Sequence, residues 1–237
     1  MTLATLDPGR IRAITLDLDD TLWPVWPAIH RAEDILRAWL DTHAPRTATL
    51  ARDQETSRRA RRQVLSDMPD RTHDLAAIRR ESIRQLLHWA GDDPALAEPA
   101  FDVFFEARQQ VTLFDDALPA LAALSARYPV VALSNGNADV HRIGIGRHFR
   151  AAISAAQIGV GKPDRRAFAA AAQAAGVPED AVLHIGDDAH LDGAGALAAG
   201  MQLAWINRTA APWPDAIDGQ PHAVATDMLA LCRLVGI

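Results

Sequence analysis

The sequence predicts an α/β protein with a doubly wound parallel sheet and an inserted all-helical domain. Three observations support this fold class: a short apolar segment at residues 13–16, strand-like and helix-like segments that alternate from residue 115 onward, and a stretch at 24–113 with no convincing strand. Such alternation is typical of parallel sheets, because helices must cross over between the strands.

The first predicted strand, Ala13-Ile-Thr-Leu, runs into two aspartates at alternate positions, Asp17 and Asp19. Successive side chains of a strand point to opposite faces, so both carboxylates project the same way, with Thr21 close behind. Two such charges are costly unless a cation neutralises them or one carboxyl holds a proton. Oxygen ligands suit Mg²⁺, and a second carboxylate beside a nucleophilic one can pass protons.

The stretch that follows has apolar residues three or four apart, which is typical of amphipathic helices. It is entered through Pro24 and Pro27. We therefore expect a helical domain at 23–114 and a discontinuous α/β core made of 1–22 and 115–237. The predicted apolar stripes are Ile29, Ile35, Leu36, Trp39 and Leu40; Leu75, Ile78, Leu86, Leu87 and Ala90; and Phe101, Phe104 and Phe105.

The second half supplies the other strands and helices of the core. Gly176 and Gly200 each follow a helix-like segment, where glycine commonly ends a helix. The predicted strands are 129–133, 151–155, 181–185, 202–206 and one from 223; the predicted helices are 117–127, a short one after 137, 164–175, about 192–199 and a terminal one.

Four polar segments fall at the ends of these strands or in an adjacent loop, where ligands of open parallel sheets bind. An acidic, metal-binding segment that faces donor-rich and cationic ones is the arrangement expected for phosphoryl transfer. Taken singly, several of these residues have simpler explanations as turn formers or helix caps. The four segments are Asp17–Thr21, Ser134–Asn137, Lys162 and Asp187–Asp192.

Lys162 is the single lysine among 24 basic residues. A chain that uses arginine for general positive charge is expected to keep a lysine where a compact ammonium group matters. Compositional drift towards arginine is the alternative explanation. The position of Lys162 in a loop between Gly161 and Pro163 favours a function.

These residues predict a stepwise reaction. Asp17 attacks phosphorus to form an aspartyl phosphate, and Asp19 protonates the leaving oxygen and later deprotonates the attacking water. We expect Mg²⁺ to be held by Asp17, the backbone carbonyl of Asp19 and Asp187. Asp188 is an alternative ligand or a helix cap, and Asp192 is expected to contact Lys162 or a bound water.

Phosphate binding is predicted from the same segments. The hydroxyls of Thr21 and Ser134 and the backbone N–H at Asn135 are expected to bind phosphate oxygens near a helix amino terminus. Lys162 would complete this phosphate site and belong to the catalytic group.

The motifs DLDDT, LSN, the lysine of GKP and GDDAHLD, in this order, resemble those of the haloacid dehalogenase-like (HAD) hydrolase superfamily. The resemblance implies a Rossmann-like core, a helical cap between the first two motifs that closes over the substrate, and a Mg²⁺-dependent phosphatase. The core segments ITLDLDDTLWP, LSNGNADV, GKPDRRAF and VLHIGDDAHLDGAGALAAGMQLAWINR are most similar to bacterial phosphatases of flavin mononucleotide and of 5-amino-6-(5-phosphoribitylamino)uracil.

Other activities remain open. A sugar-phosphate or phosphoglycolate-type phosphatase, or a phosphomutase, would share the whole site. A 2-haloacid dehalogenase is disfavoured because the resemblance implies that dehalogenases lack the acid at Asp19 and need no magnesium. A non-catalytic binding protein would have tolerated loss of Asp17, Asp19 or Lys162.

Composition limits the partners. A net charge of −6 argues against nucleic acid or anionic lipid as the main partner. The sequence has one cysteine, no apolar run near the ~18 residues of a membrane span, and no apolar signal segment before the first strand. We expect a cytoplasmic monomer or homodimer that acts on a small phosphorylated metabolite.

Three weaker signals have competing interpretations. Trp23 and Trp26 could stack on a flat substrate ring, although packing at the domain junction is the stronger interpretation. The four arginines within 58–62 could attract a phosphorylated substrate, but on a helix they would spread over more than one face. His184 lies in a predicted strand and is expected to be buried and hydrogen-bonded.

Overall fold

The computed structural model describes residues 5–237 and divides them into two compact units. One unit contains the residues up to Pro24 together with Thr112–Ile237, and the other is Val25–Val111. The predicted core segment 1–22 and the predicted lack of a signal segment both include residues 1–4, which lie outside the described residues.

Within residues 5–237 the first unit contains a six-stranded sheet whose neighbouring strands are all parallel. The strands are β1 (Ala13–Leu16), β2 (Val130–Ser134), β3 (Ala151–Ser154), β4 (Val182–Gly186), β5 (Gln202–Ile206) and β6 (Ala223–Ala225). Their order is β3-β2-β1-β4-β5-β6, so the chain winds outward on one side of β1 and then on the other. This confirms the predicted fold class.

The register brings the ends of the central strands together. Leu16 is level with Ala132 of β2 and Ile185 of β4. Asp17 therefore lies beside the last residues of both neighbouring strands, at the point where the strand order reverses. Ligands bind at this point in doubly wound sheets.

The helices of this unit are α6 (Ala117–Arg127), α7 (Ala155–Ile158), α8 (Arg165–Ala175), α9 (Gly195–Ala198) and α10 (Met228–Leu234). In α8 the Asp164 carboxylate accepts the backbone N–H of Arg166, and Gly176 ends the helix at φ 80°. The buried face of α8 packs under the sheet through Ala167, Phe168, Ala171, Ala172 and Ala175.

The helix predicted after Asn137 is absent from the described residues, which form turns and a 3₁₀ turn at Gly146–His148. The Asp139 carboxylate accepts the backbone N–H of His141, and Gly144 has φ 90°. The local hydrogen bond and the glycine together stop the helix after one turn.

The helix predicted at about 192–199 begins earlier than expected. A π-helical turn at Ala189–Ala194 precedes α9, and the Asp188 carboxylate accepts the backbone N–H groups of His190 and Leu191. Asp188 is thus the helix cap, and Asp192 lies inside the wider turn.

The second unit consists, in the described residues 25–111, of five α-helices that enclose their own core. They are α1 (Val25–His43), α2 (Pro45–Ala51), α3 (Gln54–Asp67), α4 (Leu75–Ala90) and α5 (Ala97–Arg108). Among residues 5–237, no helix combines the length and apolarity needed to cross a bilayer.

Two members of the predicted apolar stripes were assigned wrongly, since Ile35 and Leu75 are exposed. The buried positions of α1 are instead Ala28, Ala32, Leu36 and Leu40, four residues apart, so alanines continue the stripe. Leu75 is the first residue of α4, directly after its cap Asp74.

Candidate active site

Asp17 follows β1 and is almost completely buried, with 7% of its surface exposed. Its carboxylate forms a close ion pair with the ammonium group of Lys162. Burial raises the pKa of Asp17 well above its ordinary value against the opposing effect of Lys162, and the carboxylates of Asp192 and Asp187 raise it further. The site thus holds more negative charge than the lysine alone balances.

Lys162 is buried between two carboxylates. Its Nζ contacts Asp17 and lies 2.6 Å from Oδ1 of Asp192. Burial acts to lower the pKa of Lys162, but the two carboxylates outweigh it and raise that pKa above its ordinary value. The ammonium group therefore stays charged at all physiological pH values.

Asn135 fixes the backbone of this lysine. Its amide Nδ2 donates to the carbonyl of Lys162 at 2.8 Å, and its Oδ1 accepts the N–H of Lys162 at 2.7 Å. A Cβ at Gly161 would lie 2.6 Å from that oxygen, so a glycine is required for this approach. The prediction for Asn135 concerned its backbone N–H, whereas its side chain joins the loop after β2 to the lysine loop.

Asp192 is held on both of its oxygens. Oδ1 lies 3.0 Å from His184 Nε2 in addition to the lysine, and Oδ2 accepts the backbone N–H of Asp188 at 3.1 Å. Although burial acts to raise the pKa of Asp192, Lys162 and His184 lower it below its ordinary value. The predicted contact between Asp192 and Lys162 is present.

His184 is buried and hydrogen-bonded, as predicted. Its Nδ1 lies 2.8 Å from the Thr15 hydroxyl, and burial lowers its pKa, which favours the neutral ring. A neutral ring that donates from Nε2 to Asp192 must accept from Thr15 at Nδ1. A hydrogen-bonded chain therefore runs from Thr15 through His184 and Asp192 to Lys162.

Asp187 and Thr21 form a second contact at the sheet edge. The Thr21 hydroxyl donates to Oδ1 of Asp187 at 2.8 Å, so the hydrogen predicted to bind phosphate is directed to this carboxylate. Burial raises the pKa of Asp187 from 3.8 to about 7, with the Thr21 hydrogen bond opposing it and Asp192 and Asp20 adding to it. The indole of Trp205 donates to the backbone carbonyl of Asp187 at 2.7 Å.

Asp19 accepts a hydrogen bond from the indole N–H of Trp23, at 2.8 Å from Oδ1. The backbone turns between them, because Asp20 adopts φ 59° and donates its N–H to the carbonyl of Trp23. Trp23 has no exposed surface, so the stacking role considered for it is wrong and it is packed as the alternative predicted. Trp26 is 63% exposed, so the packing interpretation does not hold for that residue.

Ser134 ends β2 and is buried. Its Oγ accepts the backbone N–H of Gly136 at 2.9 Å, which leaves the hydroxyl hydrogen as a donor. The helix amino terminus expected beside it is absent from the described residues, because only turns follow.

A cluster of acidic oxygens provides the ligands for a cation. One oxygen each from Asp17, Asp187 and Asp192 lies within 4.8 Å of the others. Asp192 is already engaged on both oxygens, so Asp17 and Asp187 are the better available pair. The carboxylate of Asp188 caps the following turn and is exposed, which disfavours it as a ligand. Hard oxygen donors with excess negative charge fit Mg²⁺.

Comparison with known proteins identifies the family. A sequence model of the haloacid dehalogenase-like hydrolases matches residues 11–200. The chain belongs to this family. The predicted family and the predicted hydrolase class are thereby confirmed.

Several relatives of this HAD-like hydrolase are informative. The 5-amino-6-(5-phospho-D-ribitylamino)uracil phosphatase YigB of Escherichia coli (strain K12) is 31% identical over 233 residues, with 96% of this chain and 97% of that protein covered. The phosphoserine phosphatase of Thermus thermophilus is 34% identical over 142 residues, or 57% of each chain.

A solved structure covers nearly the whole chain. The crystal structure of a 2-haloacid dehalogenase from Pseudomonas syringae pv. Tomato DC3000 has a TM-score of 0.89 and 37% identity, covering 95% of this chain and 98% of that one. The relatives of this HAD-like hydrolase thus carry the names of both phosphatases and a dehalogenase.

Proposed function

We propose that this HAD-like hydrolase is a Mg²⁺-dependent phosphatase that hydrolyses a small phosphate monoester through an aspartyl phosphate. The observation that carries the proposal is the buried Asp17 carboxylate, set between the Lys162 ammonium and the Asp187 carboxylate, with Asp19 held by Trp23 nearby. This set contains a nucleophile, a cationic partner and a second acid, as a two-step displacement requires.

In the first step an oxygen of Asp17 forms a bond to phosphorus while the bond from phosphorus to the leaving oxygen breaks. Asp19 gives its proton to that leaving oxygen. In the second step Asp19 removes a proton from water as the water oxygen attacks phosphorus. The bond from phosphorus to the Asp17 oxygen breaks, which restores the Asp17 carboxylate and releases inorganic phosphate. The hydrogen bond from Trp23 orients Asp19 for both transfers.

The remaining residues bind and neutralise. Bound Mg²⁺ would be held by Asp17, Asp187 and the backbone carbonyl of Asp19, and it would supply positive charge that offsets the charge of the carboxylates and the phosphate. Lys162 supplies a fixed charge beside Asp17, and the Ser134 hydroxyl donates to a phosphate oxygen. The Thr21 hydroxyl holds Asp187 by the hydrogen bond that it donates.

A dehalogenase is the second candidate, because the Pseudomonas syringae structure carries that name. Both reactions begin with attack by an aspartate. A halide is a weak base and leaves without a proton, so a dehalogenase has no use for an acid at Asp19. It likewise has no need for a cation between anionic carboxylates, whereas Asp17 and Asp187 both have raised pKa values that a bound cation would reverse.

For the substrate we propose a flavin-pathway phosphate, either the phosphoribitylaminouracil or flavin mononucleotide. The support is the 31% identity to YigB across nearly the whole chain. Phosphoserine, sugar phosphates and phosphoglycolate are the alternative substrates, and a phosphomutase would differ only in the acceptor. We further propose that the helical unit serves as the cap and that the enzyme is a cytoplasmic monomer or homodimer.

The test is a substrate panel measured with Mg²⁺ and with a chelator. We expect phosphate release to require Mg²⁺ and to be fastest with the phosphoribitylaminouracil or flavin mononucleotide. Preference for phosphoserine or a sugar phosphate would overturn the substrate proposal alone. Chloride release from 2-chloropropionate without phosphate release from any monoester would overturn the phosphatase proposal and favour the dehalogenase.

A further inference from the structure

The helical unit contains a pocket of about 520 Å³, between α1, α3 and α4. Small-molecule sites commonly have volumes in the range of ~300–1,000 Å³. Of the described residues that line it, five are arginines and one is a glutamate. Residues 25–111 as a whole contain 13 arginines and 14 acidic residues, so the positive charge is concentrated in the pocket.

Several of the arginines have neutralising or polar partners. Arg37 pairs with Asp34 at 2.7 Å, and Arg52 pairs with Asp41 at 3.0 Å. By contrast, the side chain of Arg61 has no hydrogen-bond or ion-pair partner among residues 5–237. Its charge is therefore available to a ligand.

Arg79 also lines the pocket and is less exposed than Arg61. Its guanidinium lies 3.9 Å from the Phe104 ring centroid and 3.5 Å from a carboxylate oxygen of Glu33. Burial lowers the pKa of Arg79; Glu33 opposes this effect and the neighbouring charge of Arg61 adds to it. The two guanidinium groups repel each other, and Glu33 is the one acidic residue among the described residues that line the pocket. A bound anion would therefore stabilise the pair.

The four arginines within 58–62 lie on different faces of α3, and Arg58 and Arg61 share one of them. Residues three apart share a helix face, and both of these line the pocket. Arg59 instead lies over the Trp89 ring and Arg62 pairs with Glu55. The expected spread over several faces is confirmed, but one of those faces is the pocket.

Apolar side chains form the rest of the wall. Leu36, Leu40 and Leu86 line the pocket together with Trp26, which is 63% exposed. An exposed indole beside guanidinium groups offers a flat apolar surface next to positive charge. A ligand that matches both features has an anionic group and an apolar or aromatic body.

We propose that this pocket binds a small organic anion with an apolar body, whose anionic group contacts Arg61 and Arg79 and whose body packs against Trp26. The site is separate from the proposed phosphatase reaction, because none of the residues assigned to that reaction is among the described residues that line it. The anion is therefore a metabolite other than the substrate.

The experiment is calorimetric titration of the full chain with naphthalene sulfonate, compared with the neutral analogue naphthalene methanol. We expect the sulfonate to bind with one site per chain and the alcohol to bind at least about tenfold more weakly. Arg61→Gln should weaken sulfonate binding by about tenfold or more. Arg62→Gln, which removes the same charge from the same helix outside the pocket, should change it less than about twofold.

If Arg61→Gln and Arg62→Gln weakened sulfonate binding equally, the effect would come from the net charge of the helix and the proposal would be overturned. The absence of sulfonate binding would also overturn it. Arg58→Gln, a second variant on the helix face that lines the pocket, should likewise weaken sulfonate binding more than Arg62→Gln does.

Discussion

The charged side chains at the sheet edge are paired with one another, whereas those in the pocket of the helical unit are paired incompletely. At the sheet edge Lys162 is buried between Asp17 and Asp192, and Asp192 is fixed in turn by His184 and the backbone of Asp188. In the pocket Arg61 has no partner among the described residues, and the ion pair of Arg79 with Glu33 is long. The first arrangement holds groups in place for chemistry, and the second leaves charge for a ligand.

The largest effect is expected at the nucleophile. Asp17→Asn removes the attacking oxygen anion, so kcat/KM for a phosphate monoester should fall at least about 10³-fold. Asp20→Asn is the matched control, because it removes the same charge three residues away and asparagine tolerates the left-handed backbone at φ 59°. Comparable losses in both variants would show that charge alone matters and would contradict the assignment of Asp17.

The buried charge network should contribute strongly to stability. Asp192→Asn leaves Lys162 with one carboxylate and replaces one of the two oxygens that accept from Lys162, His184 and the Asp188 N–H by an NH2 group, so the free energy of unfolding should fall by about 3 kcal/mol. Urea unfolding measures this change. Asp188→Asn keeps an equally good helix cap and should stay within about 0.5 kcal/mol. A small effect of Asp192→Asn would mean that the network is not a structural element.

The excess negative charge predicts a pH dependence of the metal-free protein. The folded state raises the pKa of Asp187 from 3.8 to about 7, so it binds a proton more tightly than the unfolded state does. Stability contributed by that proton is present below about pH 4 and is lost as the pH rises to about 7. Tm without metal should therefore decrease over this window, and Asp187→Asn should flatten the decrease.

Mg²⁺ should reverse this loss, because it replaces the proton. At a concentration of about 100 times Kd it should stabilise the folded state by about 2.7 kcal/mol at pH 8 and by much less at pH 5. Equal stabilisation at both pH values would place the cation away from Asp17 and Asp187.

A smaller effect on kcat is expected at Trp23, because it orients the proposed acid Asp19 and takes no part in the reaction itself. Trp23→Phe removes the indole N–H that donates to Asp19, so kcat should fall about tenfold with little change in KM. Trp89→Phe, at an exposed position in the helical unit, should leave both constants unchanged. A change in KM alone would argue that Trp23 shapes binding and does not position the acid.

The smallest effect is expected on the free energy of unfolding when Arg61 of the pocket is replaced. Because Arg61 pairs with no described residue and repels Arg79, Arg61→Gln should change the free energy of unfolding by no more than about 0.5 kcal/mol. Urea unfolding at low and high salt measures the change. A loss of about 1 kcal/mol or more would show that Arg61 has a structural role, in contrast to our interpretation.

Much of the sheet and of the candidate site could be predicted because local signals agreed with the fold. Asp164 and Gly176 mark both ends of α8, and the predicted bounds of α6 match. The four polar segments were predicted to meet because parallel strands end at one edge, and Asp17, Lys162 and Asp192 are in contact.

The rest depends on contacts that sequence spacing does not encode. The Asn135 amide binds a backbone 27 residues away, and Asp192 is buried within a π-helical turn at Ala189–Ala194. The Trp23 hydrogen bond requires the left-handed turn at Asp20. Arg61 joins Arg79 only because α3 and α4 pack together. Each of these features follows from tertiary packing and not from local propensity.

The most direct test of the central claim is to trap the phosphoryl group on the protein. The enzyme is quenched in acid during turnover of its best monoester, reduced with borohydride and analysed by peptide mass spectrometry. We predict that the acyl phosphate, and hence the reduced side chain, is found in the peptide that contains Asp17 and only at that residue. Turnover with Asp17 unmodified, or modification at another residue, would contradict the account.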